Sequence, residues 1–156
     1  MNAISVPTIV MAGISLYVGL YHLLIHARRK NHPEDLSFAF LCLAICAYEV
    51  MCTGLYNATS TAQGAQWQRL QFISIAMFAT AFLWFISDYT GRPKGIVIYA
   101  FTVFYLAALI AQVVDRSNLT WIASLPSVKA ISLPLGIRIT YYEVSFGIFT
   151  TIQSLT

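Results

Sequence analysis

The chain has 156 residues, enough for one domain, and it is 58% hydrophobic but only 10% charged. Soluble domains run at about 45–50% apolar and about 25% charged. With a net charge of +3 and a mean hydropathy of +0.71, the chain has too few charges to cover a water-exposed surface. A soluble fold is excluded, and the composition is that of an integral membrane protein.

Four apolar runs, residues 4–25, 36–56, 70–89 and 96–114, are each close to the ~20 residues that cross a hydrocarbon core. The first has no Lys or Arg before it and is followed by HARRK, so it reads as an anchor with its amino terminus outside, and not as a cleaved signal. Between the first two spans, NHPED places Pro33, Glu34 and Asp35 at a helix start, where the dipole favours acids. After the third span, TGRPKG offers Gly91 as a helix C-cap with Pro93 just beyond. The inner turns then hold Arg28, Arg29, Lys30, Arg92 and Lys94 in two short segments, while Arg69, Arg116, Lys129 and Arg138 are spread over longer outer loops. That density supports the amino terminus outside. Asn57-Ala-Thr and Asn118-Leu-Thr are glycosylation sequons on those outer loops.

The outer loop spans residues 115–143. In it, KAISLPLGIRITYYEV has β-branched runs on both sides of Pro134-Leu135-Gly136, which predicts a β-hairpin able to cap the outer mouth. A last apolar run covers residues 144–156, and its thirteen residues would rise only ~20 Å as a helix. The expected architecture is therefore all-α: four complete transmembrane helices plus a partial fifth, an extracytoplasmic hairpin, and a single input domain over residues 1–156, read as a piece of a longer protein.

Helices pack in lipid through small and polar residues. Thr8, Ala12, Ser15, Gly19, His22 and His26 form such a stripe on the first span, and Ala39, Cys42, Cys46, Glu49 and Thr53 form one on the second. These two stripes are expected to meet. Cys42, Cys46 and Cys52 have no CxxC or disulfide pattern and read as packing residues. A carboxylate inside a span needs a reason, and Glu49 lies ~20 Å from the inner boundary, in the outer third of the membrane. Arg69 and Gln112 sit at a similar level, so a Glu49–Arg69 or Glu49–Gln112 contact is expected. Two readings of Glu49 stay open, an interhelical hydrogen bond and a ligand or ion contact.

At the inner boundary, Asp88 sits at a helix C-terminus and is expected to pair with Arg92, Lys94 or the Arg28–Arg29 cluster, as a structural ion pair or a signalling latch. His22 and His26 have the i, i+4 spacing of a metal or haem face, but no second histidine pair completes a haem site. No cofactor is expected. Tyr56, Trp67, Trp84 and Tyr89 fit interfacial aromatic belts.

WQRLQFISIAMFATAFLWFISDYTGR (residues 67–92), with LYNATSTAQG before it and LPLGIRITYYEVSFG after it, resembles the amino-terminal seven-transmembrane sensor region of bacterial sensor histidine kinases and related signalling proteins. On that resemblance Trp67, Arg69 and Gln71 match the entry to the third span, and Trp84, Phe85, Tyr89, Thr90 and Gly91 match its exit. Tyr142 and Glu143 match the approach to the fifth span. The resemblance covers the chain as four spans and the start of a fifth. It implies a two-component input domain in a bacterial plasma membrane, passing an outside or membrane signal to a cytoplasmic kinase or cyclase-type module of the same longer polypeptide. Catalysis is not expected within these residues. The expected partners are the bilayer, that output module and a second copy of the chain, with no nucleic acid. The ligand or signal candidates are Glu49, Trp67, Arg69, Gln112, Tyr142 and Glu143. The alternatives are a small transporter or half-repeat of one, weakened because Pro7 is the only proline within a span, and a haem or metal protein resting on His22 and His26.

Overall fold

The structure is a computed structural model that describes residues 5–30, 32–114, 127–132 and 138–155. Four long helices follow in order: α1 (Ser5–Arg28), α2 (Pro33–Tyr56), α3 (Thr61–Tyr89) and α4 (Ile96–Val114). All four are long and apolar enough to cross a membrane. Two strands, β1 (Ser127–Ser132) and β2 (Arg138–Glu143), and a short helix α5 (Ile148–Leu155) follow among the described residues. Pro7 falls in the first turn of α1, where a missing N–H breaks no helical bond.

The helices run up and down in sequence, α1 on α2, α2 on α3 and α3 on α4. The small-residue stripes explain the first contact. A Cβ on Gly19 would lie 3.3 Å from the Ala39 carbonyl oxygen and from the Cys42 Cβ, so the backbones meet closely there. Nearer the other end, the Thr8 and Thr53 hydroxyls are 2.7 Å apart, and Asn57 Nδ2 donates to Ser5 Oγ at 2.6 Å. The sequon asparagine therefore clamps α1 to α2, and the second sequon at Asn118 lies outside the described residues.

The NHPED segment opens α2 at Pro33, with Glu34 and Asp35 in the first turn. At the end of α3, Gly91 has φ of 64°. Arg92 N–H donates to Ser87 O, and Gly91 N–H donates to Asp88 O, both at 3.2 Å. This is the Schellman pattern, and the left-handed residue it requires is the glycine the sequence supplies.

Two boundaries differ from the apolar runs. α3 begins at Thr61 and not near Leu70, because Ser60 caps it by accepting from Gln63 N–H at 3.2 Å. Its 29 residues measure ~43 Å, so it projects beyond a ~30 Å core. The last helix starts at Ile148 and not at Val144, because the Val144 N–H is drawn out of helical geometry by Gln68 Oε1 at 2.7 Å.

The strands pair antiparallel, with Ser127 opposite Glu143 and Ser132 opposite Arg138. The turn at residues 134–136 lies outside the described residues. Lys129 and Glu143 form a cross-strand ion pair, and the hydrogen bond that the exposed Lys129 ammonium donates to Glu143 raises its pKa above the ordinary value.

Candidate functional site

The projecting start of α3 is the platform on which the sheet sits. A Cβ on Gly64 would come within 2.5 Å of the Tyr142 Cβ, so β2 reaches α3 only because residue 64 has no side chain. One turn further, the buried Gln68 accepts from Val144 N–H. Phe72 then meets Phe146, ring centroids 4.9 Å apart, and Gln112 Nε2 donates to Thr150 Oγ1 at 3.1 Å. The hairpin and α5 are thus tied to α3 and α4 by a line of contacts descending one side of the bundle. Gln68→Leu is expected to leave the buried Val144 N–H without its acceptor, a loss of about 1–3 kcal/mol. Hydrogen exchange at Val144 should then quicken by roughly tenfold or more, with the α1–α2 amides unchanged.

Beneath the hairpin, α2 presents two faces. Toward α3, Gln71 Nε2 donates to Cys52 Sγ at 3.1 Å, and the Trp67 ring lies flat against Gly54, whose added Cβ would be 2.3 Å from the indole. Toward α1, Thr53 meets Thr8, and Cys42 meets Gly19. Glu49 lies between Cys42 and Thr53 on this second face. It is half-buried, and its carboxylate has no hydrogen-bond or ion-pair partner among the described residues. Tyr48, Cys52 and Tyr56 are within electrostatic range of it.

The expected Glu49–Arg69 and Glu49–Gln112 contacts are not formed. Arg69 is exposed, because the inward face of α3 at this level is taken by Gln68 and Gln71. Gln112 is buried against Thr150 of α5. Residue counting set the axial level of all three groups but not their direction around each helix. Trp67 packs between α3 and α2, against Gly54.

The opposite end of the bundle is more fully paired. Lys94 Nζ is 2.7 Å from Asp88 Oδ1 and 4.5 Å from the centre of the Trp84 ring. Trp84 Nε1 donates to Thr102 Oγ1 at 2.8 Å. Of the three expected partners of Asp88, Lys94 takes the role. Arg92 contributes its backbone carbonyl to Ser87 Oγ at 2.9 Å, while its side chain and those of Arg28 and Arg29 are exposed. His22 Nδ1 lies 2.8 Å from Asp35 Oδ1 and stands edge-on to Phe38, which leads to Phe85 and Tyr89. His26 Nδ1 donates to the His32 carbonyl at 3.1 Å. The Nδ1 atoms of the two histidines therefore serve separate partners.

One family model matches the chain: the N-terminal 7TM region of histidine kinase covers residues 7–154. The chain belongs to this family. No curated protein and no solved structure matches it. Membership makes it a membrane sensory region of the histidine-kinase type. Within this sensor region, Trp67 and Gln71 at the entry to the third span both grip α2. At its exit Trp84 grips α4, and Gly91 ends the helix. Tyr142 and Glu143 lie in β2, Tyr142 seated on Gly64 and Glu143 paired with Lys129. Gln68 and Asn57, which connect distant segments, were not among the candidates. Both sit in polar stretches of sequence, so nothing local set them apart; what gives them their role is that polar side chains withdrawn from water must find partners across the fold.

Proposed function

We propose that this sensor region receives a signal at the hairpin end of the bundle and passes it, as a change in helix packing, to a cytoplasmic kinase or cyclase-type output module. Membership in the histidine-kinase sensor family across residues 7–154 carries the reading. The amino terminus lies outside a bacterial plasma membrane. Arg28, Arg29, Lys30, Arg92 and Lys94 at the far end supply the inner positive charge this orientation calls for. Glu49 is the group best suited to couple signal to packing. It is ionisable, it sits on the α1–α2 seam, and no side chain of the described residues satisfies it. A ligand or membrane state acts by binding two arrangements of that seam unequally.

The test is Glu49→Gln in the full-length protein with a transcriptional reporter of output. No partner is lost, so stability should stay within about 0.5 kcal/mol of wild type, while basal or stimulated output shifts several-fold. Unchanged output at equal expression would remove Glu49 from signalling.

A further inference from the structure

α3 packs against both α2 and α4, whereas α2 and α4 hardly touch. The space between them is a cavity of about 370 Å³, a size that holds small molecules. Its walls are Phe40 and Ala44 of α2, Ala76 and Ala81 of α3, and Leu106 and Leu109 of α4. Charge enters at one end only, where the Asp88–Lys94 pair lines the wall of the slot. Along α3 the slot runs from Ala76 to Asp88, a rise of ~18 Å. One leaflet of a ~30 Å hydrocarbon core is ~15 Å deep. The slot is therefore one acyl chain long, and it stops at the membrane boundary.

A second cavity of about 450 Å³ adjoins it there, sharing Pro33, Asp88 and Lys94 and adding Ser87 and Arg92. Lys94 is already neutralised by Asp88. The Arg92 guanidinium is exposed and has no ion-pair partner among the described residues. Arg28, Arg29 and Lys30 raise the positive potential at the same end. A cavity this size exceeds what a lone carboxylate needs, and a cation at its rim suits a phosphate.

We infer that this double cavity holds an anionic phospholipid from the leaflet at the α3–α4 turn, one chain in the α2–α3–α4 slot and its phosphate on Arg92. The site is independent of the signalling reading, since it lies at the opposite end of the bundle from Glu49.

Native mass spectrometry of the full chain released from detergent, with phosphatidylglycerol or phosphatidylcholine of equal chain length added, tests this. Wild type should retain phosphatidylglycerol about tenfold over phosphatidylcholine, whose choline cation offsets the same phosphate and is repelled by Arg92 and the Arg28–Lys30 cluster. Arg92→Gln, at an exposed turn position, should erase the preference while leaving the phosphatidylcholine adduct. Ala81→Phe should fill the slot and remove both adducts. Equal retention of the two lipids by wild type, or an unchanged preference in Arg92→Gln, overturns the assignment. So does a Leu106→Cys variant that crosslinks in high yield to a second copy or to a later segment of the same polypeptide, since protein would then occupy the slot.

Discussion

Asp88→Asn lowers the stability of the bundle by about 2–3 kcal/mol, measured by denaturing-detergent titration of the purified protein. The Asp88 side chain is only 10% exposed and that of Lys94 only 23%. Removing one member of a buried pair leaves the other charged and unpaired, which typically costs about 3–5 kcal/mol. The lower figure applies here because Lys94 is at the membrane boundary and its ammonium can reach toward water. Its neighbours raise the stakes beyond one ion pair. Lys94 lies over Trp84, and Trp84 holds Thr102, so the pair organises the start of α4 against the end of α3. Lys94→Met alone should also destabilise, by stranding a carboxylate at a helix C-terminus. The double variant should recover about 1–3 kcal/mol of the summed losses. Strict additivity would mean that the two charges do not depend on each other in lipid.

The reach of sequence reasoning differs by kind of residue. The spans were legible because lipid demands long apolar runs, and the strands because β-branched runs flank a turn. The α1–α2 interface was legible too, since Gly19, Ala39 and Cys42 are small at helical spacing and small residues have a packing use in lipid. The start of α3 was hidden by its own chemistry. Gln63, Gln66, Gln68 and Arg69 interrupt hydropathy, yet this polar stretch is helical and carries the sheet. The partners of Glu49 were out of reach for a different reason. Helical rise converts sequence distance into depth, so Arg69 and Gln112 were placed at a matching level. Direction around the helix depends on the phase of each bundle contact, and a one-residue step turns a side chain by about 100°. Gln68 therefore faces Val144, just past β2, while Arg69 faces out.

Gly54→Ala separates the α2–α3 interface from simple helix preference. In an exposed helix interior, alanine for glycine gains about 0.5–1 kcal/mol. At Gly54 the new Cβ would stand 2.3, 2.4 and 2.6 Å from three indole carbons of Trp67, contacts that cannot persist. The obstacle is a rigid double ring, which can yield only by moving α3 or leaving its rotamer. Overpacking of this kind costs about 1–3 kcal/mol, so the expected sign is destabilising, with Trp67 fluorescence shifting as the ring moves. Trp67→Leu in the same chain removes the obstruction. Gly54→Ala on that background should then be neutral or stabilising, a coupling of about 1–3 kcal/mol between the two positions. The Gln71–Cys52 contact lies within the same interface, so Cys52 should become more reactive to a membrane-permeant thiol reagent in Gly54→Ala than in wild type. If the single substitution stabilises the protein and leaves Cys52 as protected as before, the indole does not lie on Gly54, and the packing of α3 on α2 must rest on other residues.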